Sequence, residues 1–247
     1  MSISVAMATF NGKSYIEEQV STILKCLSEG DELVISDAKS TDGTEEFLKK
    51  ICKNFPQVRI VKWSNRPEDS VIRSVAANFV NAVNHCKNDI IVLSDQDDIW
   101  LHDRLDFVRE AHRNSKCVCS VADALVVNED RLNSHTIFQQ KKPRTGFFRN
   151  LAKLTVLGCQ LSFRKSALLP FVMMPNNSYI THDWWWYVMI QTQGQITFSK
   201  SPIFKYRRHA DNVSAGLSKS QNPLLFRIYV RVVFLYYCIK FYIGKMG

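Results

Sequence analysis

Directly after the short apolar run at residues 90–93, three aspartates fall within four positions: Asp95, Asp97 and Asp98 in Asp89-Ile-Ile-Val-Leu-Ser-Asp-Gln-Asp-Asp-Ile-Trp100. Like charges so close repel unless a cation sits among them, and Asp-x-Asp with hard oxygen donors suits Mg2+ or Mn2+. Helix capping is the competing role, but one aspartate would satisfy it. A second stretch is Thr181-His-Asp-Trp-Trp-Trp-Tyr187. Asp183 stands at the expected start of a helix, where unpaired N–H groups favour a carboxylate, so a cap competes there too. Helical spacing turns Trp184, Trp185 and Trp186 in three directions, so at least one is expected to line a pocket and offer a flat face to a sugar ring. The third stretch is Arg207-Arg-His-Ala-Asp-Asn-Val-Ser-Ala-Gly216, whose cations and small residues suit a diphosphate. His209 reads equally as a turn residue and as a functional group beside its two arginines.

Such groups need a scaffold that brings them together. The first half alternates strand and helix, which argues βαβ units and a parallel sheet. Strands are expected at residues 3–8, 33–36, 58–63 and 90–93, with helices at 15–27, 44–53 and 71–86. Right-handed crossovers place the carboxyl ends of such strands on one side, so Thr9, Asp37 and Asp95 should share one crevice. Further on, a helix is expected at 102–113, a long strand or bent pair at 118–127, and strands at 161–163 and 202–206. Ser166 is expected to cap a short helix. The polar segment 133–146, with Lys141, Lys142 and Arg144, reads as a mobile loop closing over substrate or as a plain solvated excursion.

A chain of 247 residues is one large domain or two small ones. The formal charge of +9 is uneven: residues 200–247 hold nine Lys or Arg against the single acid Asp211. A basic tail on a near-neutral body speaks against a nucleic-acid-binding domain and for anionic lipid or a phosphate-bearing ligand. Seven scattered cysteines without a Cys-x-x-Cys pair suggest buried thiols in a reducing compartment. The first residues lack a signal-peptide pattern, so a cytoplasmic location is expected. After Pro223 the tail mixes aromatic and basic residues. Its uncharged run, 232–239, is far below the roughly 20 residues that span a bilayer. It fits either a helix in the headgroup region, with Arg227, Arg231 and Lys240 reaching phosphates, or a helix packed on the body.

Taken together, these stretches resemble the inverting glycosyltransferases of family 2. The resemblance runs from Ser4 to about Gly216 through four ordered motifs: Val5-Ala-Met-Ala-Thr-Phe-Asn11, Val34-Ile-Ser-Asp-Ala-Lys-Ser-Thr-Asp-Gly43, Ser94-Asp-Gln-Asp-Asp-Ile-Trp100 and Thr181-His-Asp-Trp184. Tyr206-Arg-Arg-His209 with Asn212-Val-Ser214 is similar to the branch that includes bacterial rhamnosyltransferases. It implies an α/β GT-A fold: a Rossmann-like, mostly parallel sheet with helices on both faces, plus a C-terminal amphipathic helical tail. Residues 1–100 would be the nucleotide-binding half, 101–216 the acceptor-binding half and 217–247 the basic, aromatic tail that lies on the membrane or packs on the body.

Carried over residue by residue, the resemblance puts Thr9 and Asp37 near the nucleotide and Asp95 near its ribose, puts Asp97 on Mg2+ or Mn2+ and makes Asp183 the general base. Asn11, Lys39 and Arg73 are expected as further nucleotide contacts and His209 as a further metal ligand. His182, Trp184, Trp185, Arg207 and Arg208 become acceptor or phosphate contacts. One departure concerns recognition of the base: the second acid often found after the second strand is Ala38 here, followed by Lys39. The implied partners are a UDP- or dTDP-linked sugar, a glycan or lipid-linked glycan acceptor, and an anionic membrane surface at the inner face of the cell membrane. Two other classes stay open. A nucleotidyltransferase should carry a Gly-rich basic loop near the first strand, where Asn11-Gly-Lys13 is slight. A non-catalytic carbohydrate-binding protein on the same fold is favoured by Ala38.

Overall fold

The computed structural model describes residues 1–63, 70–128, 131–209, 212 and 222–245. The loop expected at 64–69 and most of that at 207–216 lie outside them. The chain begins with alternating strands and helices: β1 (Ile3–Thr9), α1 (Lys13–Cys26), β2 (Glu32–Asp37), α2 (Thr44–Asn54), β3 (Val58–Val61), α3 (Val71–His85) and β4 (Ile90–Ser94). Then come β5 (Ile99–Trp100), α4 (Arg104–Arg113), β6 (Cys117–Asn128), β7 (Arg131–Thr136), α5 (Ile137–Lys141) and α6 (Phe147–Ala152). The last elements are β8 (Leu161–Arg164), α7 (Lys165–Leu168), α8 (His182–Ile190), β9 (Gln195–Arg208) and α9 (Leu224–Lys245).

The described strands form one sheet in the order β3-β2-β1-β4-β8-β6-β9-β5, with β7 paired to β6. From β3 through β4 all pairings are parallel; β8 runs antiparallel to both β4 and β6, and β9 is parallel to β6. Strand alternation divides the core between the two faces. Ile3, Val5 and Met7 pack with α1 and α4, while Ala6, Val34, Ile91 and Leu93 pack with α3, α8 and α9. The expected GT-A architecture is therefore present, with helices on both faces. Thr9 sits opposite Asp37, and Met7 opposite Ser94, so the carboxyl ends of β1, β2 and β4 lie side by side.

Three local expectations are corrected. Segment 133–146 is not a loop throughout: it holds the end of β7 and α5, nucleated by a capping box between Thr136 and Gln139 and anchored by buried Ile137. Ser166 lies within α7 and does not cap it. The last strand is longer than residues 202–206, because β9 follows β6 along its whole length through bulges. All seven cysteines are free, and all but half-buried Cys52 are buried.

Candidate active site

The loop after β1 is bolted to the loop after β4 by Gln96. Its Oε1 accepts from Thr9 Oγ1 at 2.6 Å and from the Phe10 amide at 2.9 Å, and its Nε2 donates to the Phe10 carbonyl at 3.2 Å. Gly12 makes room for this: a Cβ there would lie 2.4 Å from Gln96 Oε1. Asn11, in the left-handed region at φ 47°, accepts from the Thr41 amide, and its own amide donates to Ser40 Oγ. The Asp37 carboxylate accepts from the hydroxyl and amide of Ser40. It thus shapes the turn on which exposed Lys39 stands, at φ 62°. Asn78 of α3 donates to the Thr9 carbonyl, and half-buried Arg73 lies in the first turn of the same helix. These expected nucleotide residues therefore belong to one edge of the sheet.

The acids after β4 form the centre of that edge. Burial, with the charges of Asp97 and Asp183 adding to it, pushes the Asp95 carboxyl up to about 7. Asp98 is fully buried, and burial, with the charges of Asp97 and Asp95 adding to it, holds its carboxyl well above the ordinary range. One Asp98 oxygen accepts from the Arg207 amide at 3.3 Å; the other is buried without a hydrogen-bond partner. Buried Arg104 offsets part of this negative charge. Its guanidinium lies over the Trp100 and Phe204 rings and donates to the Cys159 carbonyl at 2.8 Å.

The end of β9 closes the cluster. His209 Nε2 lies 2.8 Å from Asp97 Oδ2, and Asn212 Nδ2 donates to the same oxygen at 3.2 Å. Tyr15 stacks on the imidazole with ring centroids 4.2 Å apart. The Arg207 guanidinium is engaged by Glu18 at 2.5 Å and lies over the Tyr15 ring. Arg208 is half-buried beside it. The carboxylates of Asp95 and Asp98, one of whose oxygens is buried without a hydrogen-bond partner, are hard donors of the kind that Mg2+ or Mn2+ takes, whereas Asp97 and His209 are bonded to each other. Atoms of Asp95, Asp98 and Cys159 lie within 4.8 Å of one another. Burial holds the Cys159 thiol protonated, so it is a poor ligand for a hard ion.

Asp183 reaches the same centre from a distant element. It occupies the first turn of α8, where its Oδ1 accepts from the Trp184 amide at 2.8 Å. A Cβ on Gly158 would stand 3.0 Å from His182 Nε2 and 3.6 Å from Asp183 Cβ. The turn at 158–160 therefore joins the acid cluster, through Cys159, to the start of α8. Asp183 also acts electrostatically on half-buried Lys141 of α5, whose pKa burial lowers.

The acceptor contacts expected of α8 are corrected. Trp184, Trp185 and Trp186 are all buried, and their indole N–H groups donate to the carbonyls of Asn150, Phe171 and Val172. His182 is buried too, stacked on Phe79 at 4.3 Å. Three directions around α8 all lead into protein, because α6, the segment at 169–172 and α9 surround it. Sequence reasoning did not single out Tyr15, Gln96 or Asn212, of which Gln96 and Asn212 stand inside motifs quoted above, and it named Lys141 only within the segment 133–146.

With this geometry in place, comparison with known proteins is informative. Residues 4–169 match the family model described as glycosyl transferase family 2. Over 230 residues the chain is 26% identical to the dTDP-rhamnosyl transferase RfbG of Shigella flexneri, covering 86% of this chain and 75% of that protein. It is 23% identical to the putative teichuronic acid biosynthesis glycosyltransferase TuaG of Bacillus subtilis, covering 70% of this chain and 66% of that one. Among solved structures, S. aureus TarS 1-349 in complex with UDP-GlcNAc aligns with TM-score 0.65 and 13% identity over 95% of this chain and 66% of its own. The mannosyltransferase PcManGT of Pyrobaculum calidifontis, in complex with GDP-Man and Mn2+, aligns with TM-score 0.60 and 16% identity over 87% of this chain and 58% of its own. At these identities the structural likeness concerns the fold.

Proposed function

Because the chain belongs to glycosyl transferase family 2, we propose that it moves a sugar from a UDP- or dTDP-linked donor to a hydroxyl of a growing surface glycan, inverting the anomeric centre. Residues 1–100 would hold the donor and residues 101–216 the acceptor. One observation carries this reading: Asp97 and Asp183, far apart in sequence, both bear on Asp95. Gly158, the neighbour of Cys159, also lies against Asp183, and both observations support a leaving-group site and a base belonging to one centre. The names of RfbG, a dTDP-rhamnosyl transferase, and TuaG, of teichuronic acid biosynthesis, support a deoxysugar or uronic-acid polymer context.

A nucleoside-diphosphate sugar already carries an activated leaving group, so the protein must manage charge and one proton. Asp97, His209 and Asp95 would hold a divalent ion, which supplies Lewis acidity to the departing diphosphate. Asp183 accepts the proton of the acceptor hydroxyl as it attacks from the opposite face of the sugar, a role contributing about 10² to 10⁴ in rate. Thr9, Asn11 and Asp37 would shape the seat of the nucleotide, with Lys39 near its phosphates. The acceptor would be lipid-linked and the enzyme peripheral at the cytoplasmic face of the membrane.

A panel of UDP-, dTDP- and GDP-sugars, each with Mn2+ or chelator, tests the reading through release of nucleoside diphosphate. Release from at least one donor, abolished by chelator, is expected. Release of pyrophosphate instead would favour a nucleotidyltransferase. No release from any donor, with sugar binding retained, would favour a binding module.

A further inference from the structure

The outward side of α9 carries no charge. Val230, Phe234 and Cys238 turn inward, with the Phe234 ring on Trp184 and Trp185. At helical spacing the opposite side presents Leu225, Ile228, Val232, Leu235, Ile239 and Ile243, with Leu225 81% and Val232 60% exposed. Among the cations, Arg231 falls on one flank and Lys240 on the other, while exposed Arg227 stands in line with Val230 and Phe234 near the start of the helix, and the helix contains no acid. Arg231 bridges back to the body, donating to the Ala152 carbonyl and lying over the Trp184 ring. A helix packed on a globular body ordinarily turns its polar residues to water; here that side is apolar.

The patch does not stop at the helix. Tyr179 packs on Phe226 and Tyr229, and exposed Leu169 and Met173 belong to the same neighbouring segment. It also lies in the basic part of the chain. Residues 131–247 hold 17 Lys or Arg against Asp183 and Asp211, whereas residues 1–130 hold 15 against 21 acids. No helix among the described residues is long and apolar enough to cross a membrane.

We propose that the outward face of α9 is a docking surface for an anionic lipid bilayer. The helix lies along the headgroup boundary with its apolar side in the acyl region, while Lys240 meets lipid phosphates from the flank. Charge decides against a second copy of the chain as occupant: pairing two α9 helices would set cations against cations with no acid to offset them. Docking also fixes the attitude of the active site, because α9 packs on α8, whose first turn bears Asp183. A lipid-linked acceptor would then reach Asp183 from the bilayer side, a consequence that rests on the transferase reading above.

Flotation of the full chain with vesicles tests this. Comigration is expected with mixed phosphatidylcholine and phosphatidylglycerol, weakening with salt, and is expected to be slight with phosphatidylcholine alone. Replacing Val232→Asp together with Ile239→Asp should lower vesicle binding roughly ten-fold or more, with circular dichroism and thermal unfolding unchanged. Replacing Lys240→Glu should lower the phosphatidylglycerol-dependent part. Failure of the native chain to float at low salt, or equal flotation of the Val232/Ile239 variant, would overturn the proposal. A native dimer made monomeric by that variant and indifferent to vesicles would also overturn it and assign the face to a second copy. Flotation is read without donor or acceptor, so its failure leaves the transferase reading standing, and loss of turnover leaves the docking standing.

Discussion

His209 Nε2 lies 2.8 Å from Asp97 Oδ2 across 112 residues of sequence. The pair ties the end of β9 to the loop after β4, and Tyr15 and Asn212 fix the imidazole in place. Both side chains are ligand types for a divalent ion, and the reading proposed above has them share one.

If they act on one ion, their losses should not add. His209→Ala and Asp97→Ala are each expected to weaken Mn2+-dependent donor binding about 10- to 100-fold, measured by isothermal titration with and without Mn2+. The double variant should bind little worse than the weaker single one. Fully additive losses, or an unchanged Mn2+ dependence in either single variant, would show that the two do not share an ion.

Gly12 is required by contact rather than by backbone conformation. A methyl at that position would meet Gln96 Oε1 at 2.4 Å and Thr9 Oγ1 at 3.2 Å. Gln96 must then surrender its bonds to Thr9 and Phe10. Gly12→Ala is expected to cost about 1–3 kcal/mol, read as a lower urea midpoint at unchanged slope, and to weaken donor binding. An unaltered midpoint would mean that the stitch between the two loops is energetically idle.

The parallel half of the sheet was legible because β1, β2 and β4 are apolar runs ending in polar groups, and that pattern needs no distant partner. The Asp95–Asp98 stretch was legible for the same reason. The association of Asp97 with His209 was expected as a shared metal site but has no local signal of its own, since only the crossing of β9 to the sheet's far side brings them together. Trp184 and Trp185 misled because periodicity gives direction around α8 but not what lies there; α9, more than 30 residues later, covers them. Segment 133–146 was misread on composition, although Thr136-x-x-Gln139 is a capping signature. Tyr15 looked like one more apolar position of α1, and nothing local distinguishes it.

His112 should make stability depend on pH. It is buried beneath β8, near Ser162 Oγ, and burial lowers its pKa to about 4 from an ordinary 6.5, with the charge of Arg164 adding to this. Between these values the unfolded chain binds a proton that the folded chain refuses, so stability is full above pH 6.5 and falls as pH drops toward 4. The whole difference is about 3 kcal/mol. Urea midpoints of native protein and His112→Phe, compared from pH 7 to pH 4.5, should converge as pH falls. Parallel curves would show that His112 titrates normally.

The account stands or falls on the separate roles of Asp183 and Asp97 at one site. Single-turnover sugar transfer by Asp183→Asn, measured beside its donor affinity with Mn2+, separates them most directly. The expected result is a rate lower by about 10² to 10⁴ with donor affinity nearly that of the native enzyme. Native turnover by Asp183→Asn at saturating substrates, or loss of donor binding in step with rate, would contradict the assignment of Asp183 as the base facing the metal-binding acids.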